Sequence, residues 1–150
     1  MPVYHPAPEW VNPVYGPISS LFGNRINPVT DQVEFHNGVD IAVPVGTPVV
    51  AVRCATVHHI GNNALNGIYM RMRCDTGYEI VYAHLSEVLV ELNESVYQGQ
   101  RVALSGNTGQ STGPHLHFGL SRNGQRLDPL PRVNLGLTAH AAQEYARRNP

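Results

Sequence analysis

Short runs of β-branched and apolar residues, separated by turn signals, recur through the middle of the chain. With 14 glycines and 12 prolines, the sequence favours many turns and few long helices. Strands are expected at 49–58, 79–85, 99–106 and 115–121, and the pair Asn123-Gly124 predicts a hairpin turn. The segment 68–74 alternates, so that one strand face would carry Ile68, Met70, Met72 and Cys74, and the other Tyr69, Arg71 and Arg73.

This pattern predicts a mainly β fold, with antiparallel β-sheets in a sandwich or barrel-like arrangement and loops forming a cleft. The chain has 150 residues, the size of one domain. We expect a proline-rich extended strap over 1–17, a main domain over 18–135 that begins with a loop-rich segment at 18–35, and a C-terminal helix over 136–150. Thr138 can cap that helix, and late arginines suit its last turn.

Composition excludes several classes of function. The net charge is -1 and no basic block stands out, so nucleic acid is not an expected partner. No apolar run approaches the roughly 20 residues of a membrane span. The first residues lack the features of a secretory signal, so we expect delivery by another route or a processed form.

The two cysteines, Cys54 and Cys74, flank a predicted hairpin that would bring them close together. A disulfide across the two strands is therefore an alternative. Two buried thiols are the expected state for a chain made in a reducing cytosol.

Two separated segments carry the residue types of a metal site. His115-Leu116-His117 lies in a predicted strand, where residues two apart point to the same face, and His36 and Asp40 lie four apart around Asn37-Gly38. A strand entered through a turn at Asn37-Gly38 can bring His36 and Asp40 together, and His117 would complete three ligands. Two imidazoles and a carboxylate can hold zinc and leave a position for water, whose pKa the ion lowers. The alternative is that these polar side chains line a solvated sheet.

Four ordered segments between about Ile18 and Pro129 resemble the lysostaphin/LytM-type zinc endopeptidases, which cleave peptide cross-bridges or stem peptides in bacterial peptidoglycan. They are Phe22-Gly23-Asn24-Arg25, the run from His36-Asn37-Gly38-Val39-Asp40 to Val49, Tyr82-Ala83-His84-Leu85-Ser86, and the run from Ser105-Gly106-Asn107-Thr108-Gly109 to His117-Phe118. The resemblance implies Zn²⁺ bound by His36, Asp40 and His117, with His84 and His115 as the catalytic pair. Histidine suits that pair because its ordinary pKa is about 6.5.

The resemblance also implies a setting. Residues 18–135 would be the zinc endopeptidase catalytic domain, with the peptides of peptidoglycan as substrate. We expect a monomer that acts on the bacterial cell wall, in the periplasm or outside the cell, in a phage-delivered or processed form.

Two other functions stay open from sequence. One is a non-catalytic module of the same fold that binds the cell wall or activates an amidase. The other is a cupin-like metal protein, which the sequence disfavours because cupins need a glutamate shortly after His-x-His, and here no acid follows His117 until Asp128.

Overall fold

The computed structural model describes residues 10–27 and 29–133, which form twelve β-strands and two single-turn 3-10 helices, Asp75–Gly77 and Leu130–Arg132. The strands are β1 Ile18–Ser20, β2 Gly23–Ile26, β3 Val33–His36, β4 Gly38–Ile41, β5 Pro48–Val50, β6 Ala55–Asn63, β7 Gly67–Arg73, β8 Tyr78–Val88, β9 Ser95–Val96, β10 Arg101–Ser105, β11 Leu116–Arg122 and β12 Gln125–Leu127.

Every strand pair is antiparallel, as predicted. Ten strands form one sheet whose main path runs β1-β4-β11-β8-β7-β6-β9, while β10 pairs with β5 and β8, and β12 pairs with β11. The remaining two strands, β2 and β3, form a separate hairpin. The mainly β, antiparallel prediction is confirmed, and the part of the chain that the structure describes contains no closed barrel.

The hydrophobic core lies against one face of the large sheet. On β11 the side chains of Leu116, Phe118 and Leu120 are buried in it, whereas His117 between them points to the opposite face. Core residues from the other central strands include Val39, Ile41, Val57, Met70, Met72, Ile80, Tyr82 and Leu85. Because apolar residues fill one face, the other face of β4, β11 and β8 is left for polar chemistry.

Two local predictions are confirmed. Met70 and Met72 of β7 are fully buried, while the alternate side chains Tyr69 and Arg71 are partly exposed. The turn Asn123-Gly124 joins β11 to β12, and both residues have the positive φ, 50° and 84°, that a tight hairpin turn requires.

Two other predictions are wrong. The loop-rich segment expected at 18–35 contains β1, β2 and β3, because β1 finds a partner in β4 and β2 pairs with β3. The single strand expected at 49–58 is two strands, since β5 pairs with β10 whereas β6 pairs with β7 and β9. The change of partners places the bend at residues 52–54.

The described end of the predicted strap, residues 10–17, runs beside the segment that follows β5. The N–H of Val11 donates to the Val52 carbonyl (3.0 Å), and the N–H of Val50 donates to the Pro13 carbonyl (3.0 Å). Trp10 is buried with its ring edge-on to Tyr78, 5.1 Å between centroids. The helix predicted for 136–150 and the strap residues before Trp10 lie outside the described residues, so the domain boundaries stay predictions.

The prediction that both cysteines are buried thiols is wrong. Both cysteines are free, but Cys54 is exposed and Cys74 is half-buried. The reason is that Cys54 lies in the bend before β6, and Cys74 follows the last residue of β7. Partial burial raises the pKa of the Cys74 thiol to about 11.

Neither 3-10 helix, in the ranges 10–27 and 29–133, has the length and apolar character that a membrane span needs.

Candidate metal centre and active-site cleft

Sheet register brings the three predicted metal ligands together. β4 and β11 are neighbours, and Asp40 lies directly opposite His117. His36 is the last residue of β3, and Asn37 alone separates it from β4. The chain therefore turns at Asn37 and delivers His36 and Asp40 to the same point, as the sequence predicted.

Gly38 allows β4 to lie close to β11. A Cβ atom at this position would overlap the carbonyl oxygen of Phe118 and lie 2.9 Å from the ring of His117. Any larger residue would push β4 away from β11, and would separate Asp40 from its partner strand.

The three candidate ligand atoms form a tight triangle. Asp40 Oδ1 lies 3.2 Å from His36 Nε2 and 2.9 Å from His117 Nδ1, and the two nitrogens are 3.2 Å apart. Ligand atoms bound to zinc at about 2.0–2.2 Å with tetrahedral angles would lie about 3.3–3.6 Å apart. The observed distances are a few tenths of an ångström shorter, so small side-chain movements would fit the set to zinc.

Hydrogen bonds at the far side of each ring fix the tautomers. Nδ1–H of His36 donates to the carbonyl of Leu21 (2.9 Å), and Nε2–H of His117 donates to Oδ1 of Asn37 (3.1 Å). The opposite nitrogens then carry lone pairs directed at each other and at the Asp40 carboxylate. When both rings are neutral, three acceptors thus meet without a donor between them, which is an arrangement that a cation stabilises.

The three candidate ligands are largely buried, and this burial affects their pKa values. The side chains of His36, Asp40 and His117 are only 6%, 10% and 12% exposed. Burial alone would raise the pKa of Asp40, but the hydrogen bonds and positive charges that the rings of His117 and His36 supply when protonated outweigh it, so the carboxyl pKa lies well below its usual range. Burial lowers the pKa of His117, and the adjacent Asp40 only partly offsets this effect. Both shifts favour the forms that bind a metal, a carboxylate and a neutral imidazole.

His84 and His115 stand beside this triangle. Their rings lie 4.8 Å apart between centroids, and His115 Nε2 is 3.7 Å from Asp40 Oδ1. In each ring Nδ1 lies 2.7 Å from a backbone carbonyl oxygen, that of Thr108 for His84 and that of Gly113 for His115. If Nδ1–H donates to that carbonyl, Nε2 of each ring is available to a ligand in the cleft.

His84 adopts an unusual backbone conformation. Its φ is 60°, in the left-handed region, although it lies within β8. Its N–H donates to the Asn66 carbonyl (2.8 Å), which ties it to the tip of the β6–β7 hairpin. Such conformations cost about 1–3 kcal/mol and concentrate at functional sites. Burial lowers the pKa of His84, and the hydrogen bond to Thr108 opposes the shift.

All five predicted site residues line one open cleft of about 340 Å³. One wall is the β2–β3 hairpin and its turn, with Val29 and Phe35 facing the cleft. The cleft is also lined by the β6–β7 tip, with Leu65 and Asn66, and by residues 110–112. The exposed apolar side chains of Phe35 and Leu65 flank a strongly polar floor.

Sequence reasoning missed the residues that hold the five in place. Asn37 contacts His117, Ser111 Oγ lies 3.2 Å from His115 Nδ1, and Arg25 lies 3.6 Å from Asp40. Arg25 and Asn37 fall inside the segments that carry the family resemblance, so that resemblance was the available signal. Ser111 lies in the run from Ser105 to Phe118, so the same signal was available for it.

Comparison with known proteins agrees with this geometry. The model of peptidase family M23 matches residues 34–129, which include all five site residues. The peptidoglycan DD-endopeptidase ShyA of Vibrio cholerae is 42% identical over 114 residues, which are 75% of this chain but only 26% of that protein. This chain therefore spans about a quarter of that curated relative's length.

Two solved structures share the fold. A zinc-containing peptidase from Vibrio cholerae superposes with a TM-score of 0.75 at 36% identity, over 83% of this chain and 40% of that one. The catalytic domain of lysostaphin from Staphylococcus simulans gives a TM-score of 0.69 at 30% identity, over 76% of this chain and 89% of that one. Because the family model covers residues 34–129, which are more than half of the sequence and include the histidine–aspartate triangle, this chain belongs to peptidase family M23.

Proposed function

We propose that the protein is a zinc-dependent endopeptidase that hydrolyses peptide bonds in the cross-links or stem peptides of peptidoglycan. The observation that carries this proposal is the meeting of three acceptors, His36 Nε2, Asp40 Oδ1 and His117 Nδ1, within 3.2 Å of one another. With both rings neutral no donor separates them, and two further histidines stand beside them. A solvated sheet face, the alternative from sequence, would not bury such a set.

The donor chemistry favours zinc. Two imidazole nitrogens and one carboxylate oxygen form a three-ligand set typical of catalytic zinc sites. When bound, zinc would supply a Lewis acid that generates a nucleophile from water at neutral pH and polarises the scissile carbonyl.

The remaining steps fall to His84 and His115. With Nδ1–H of each ring donating to a backbone carbonyl, Nε2 is the atom available for proton transfer. We assign to these two atoms the acceptance of the nucleophile's proton, its delivery to the leaving amine, and a hydrogen bond to the developing oxyanion when protonated. The lowered pKa of His84 keeps it neutral, and so able to accept a proton, at neutral pH.

Two observations support peptidoglycan peptides as the substrate, namely the relatives of this chain and the open shape of the cleft. Relatives include peptidoglycan DD-endopeptidases, and the cleft is open, so an extended peptide can cross it. We propose that the protein acts outside the cytoplasm on the cell wall, as a single chain, because one chain supplies all five residues. We propose that it reaches the wall either by phage delivery or as a processed form.

The test is digestion of purified sacculi. Zinc-loaded protein would be incubated with Gram-negative and Gram-positive sacculi, and released fragments identified by mass spectrometry. We expect fragments cut at one type of peptide bond, and none from a matched His117→Ala variant. A protein that binds one zinc ion per chain but releases no fragments from any wall type would contradict the proposed enzymatic activity. It would favour a non-catalytic module that binds the wall or activates an amidase.

A further inference from the structure

The two oxygens of Asp40 face different partners. Oδ1 points to the two histidine ligands, and it lies 3.2 Å from His36 Nε2 and 2.9 Å from His117 Nδ1. Oδ2 points away from it and lies 3.6 Å from NH1 of Arg25. The carboxylate is therefore held with one oxygen directed at the metal position and the other directed at a guanidinium.

Arg25 is itself held in a defined position. NH1 donates to Oγ of Ser20 (2.9 Å), and NH2 lies 3.4 Å from Oε1 of Glu34, which is opposite Arg25 in the β2–β3 pairing. Ser20 Oγ is also 3.4 Å from Nδ1 of His36. The same guanidinium thus contacts residues of β1, β3 and β4.

The Nε atom of Arg25 is buried, and within the described ranges it has no hydrogen-bond partner. An unpaired buried donor is unfavourable. The polar contacts of the guanidinium with Ser20, Glu34 and Asp40 are therefore made through NH1 and NH2.

We propose that Arg25 is a positioning residue, which fixes Asp40 as a ligand through one oxygen and joins the β2–β3 hairpin to the metal centre. The positive charge at Oδ2 disfavours a metal contact by that oxygen and prevents rotation of the carboxylate. Lysine could supply the charge, but its single ammonium cannot contact Ser20, Glu34 and Asp40 from the same position. This inference rests on the proposed metal site.

The test uses zinc affinity, measured by chelator competition, and the visible absorption spectrum of the cobalt-loaded protein. In Arg25→Gln we expect a zinc Kd about 10- to 100-fold higher, as when partners of metal ligands are removed elsewhere, and a changed cobalt spectrum. Arg25→Lys should recover part of the affinity but not the spectrum. The matched control is Arg122→Gln, because Arg122 contacts Thr76 and Tyr78 instead. It should bind both metals as the wild type does.

The outcomes separate the two proposals. A wild-type protein that binds no zinc would overturn the metal site and this inference with it. If the wild type binds zinc and Arg25→Gln keeps the same zinc Kd and cobalt spectrum, the role of Arg25 is overturned while the metal site stands. Should Arg25→Gln fail to fold, Arg25→Lys decides, since a wild-type spectrum there would show that charge suffices without the fixed geometry.

Discussion

In the described residues, two histidine clusters lie on or beside the large sheet, and one of them has the geometry of a metal site. The metal centre joins His36, Asp40 and His117 across β3, β4 and β11. A second group, here called the outer cluster, comprises His58, His59, Tyr69, Arg71 and Glu79 on β6, β7 and β8. Both contain histidines beside a carboxylate.

The clusters differ in how their polar atoms are paired. In the outer cluster, Nε2 of His58 lies 3.2 Å from Glu79, whose other oxygen is 3.4 Å from Arg71. His59 Nε2 pairs with the Tyr69 hydroxyl at 2.8 Å. Each acceptor there has a donor, and the side chains reach solvent. In the metal centre the N–H groups of the neutral rings point away from the centre, so the three acceptors face one another in a largely buried site.

The comparison teaches that residue type is not sufficient for a metal site. What matters is whether the fold directs the donor groups outward and the lone pairs inward. Four predictions test this difference.

The largest effect is expected from Asp40→Asn. This change removes the charge between two imidazoles, so the zinc Kd should rise by at least about 100-fold, the upper end of what loss of an outer partner costs. Sacculus digestion should be lost with it. At the same concentration, zinc should also raise the melting temperature of the wild type much more than that of the variant, because stabilisation by a ligand grows with the ratio of its free concentration to Kd. Calorimetry with and without zinc measures this directly, and an equal zinc-induced shift in both proteins would contradict the ligand assignment.

His84→Gln and His115→Gln should separate chemistry from metal binding. Each removes a group that transfers protons, so the digestion rate should fall about 10²- to 10⁴-fold. Zinc content should stay at one ion per chain, since neither residue is in the ligand triangle. Elemental analysis and timed fragment release provide the two readouts. If either variant digests walls at the wild-type rate, the histidine that it lacks has no catalytic role.

In the outer cluster, His58→Gln should have little effect. Partly exposed ion pairs contribute about 0.2–1 kcal/mol, so the free energy of unfolding in urea should change by no more than that. Zinc stoichiometry and digestion should match the wild type. A lost zinc ion would show that the outer cluster also binds metal and would remove the distinction between the clusters.

The smallest effect on the metal centre is expected from the cysteines. Cys54→Ser and Cys74→Ser should both keep one zinc ion, because neither thiol approaches the triangle. Their reactivities should differ, since a thiol with a pKa of about 11 is ionised to only about one part in a thousand at pH 8. Iodoacetamide should therefore label Cys74 slowly, and its labelling should accelerate about tenfold per pH unit up to pH 10. Equal labelling of both cysteines at pH 8 would contradict this.

Features that depend on local pattern were predictable from sequence. The alternation of β7 and the turn at Asn123-Gly124 are encoded by neighbouring residues, and both occur as expected. The five site residues were also identified, because each belongs to a short motif. Their convergence in one cleft agrees with that prediction, while their individual roles await the variants above.

Features that depend on distant partners were not predictable. Residues 18–20 become a strand only because β4 lies beside them, and the chain bends after Val50 because its pairing partner changes. The exposure of Cys54 follows from that bend. The left-handed backbone of His84 likewise depends on Asn66 in a separate hairpin.

The sequence by itself determined the chemistry available to this protein: three imidazoles and a carboxylate in two motifs, a fourth imidazole in another, and a β-rich chain to carry them. Only the tertiary structure decided which nitrogen of each ring faces the metal position and which oxygen of Asp40 faces Arg25. The physical reason is that these choices depend on hydrogen bonds that the rings donate to oxygen atoms of Leu21, Asn37, Thr108 and Gly113. They also depend on a guanidinium that Ser20 and Glu34 hold beside Asp40.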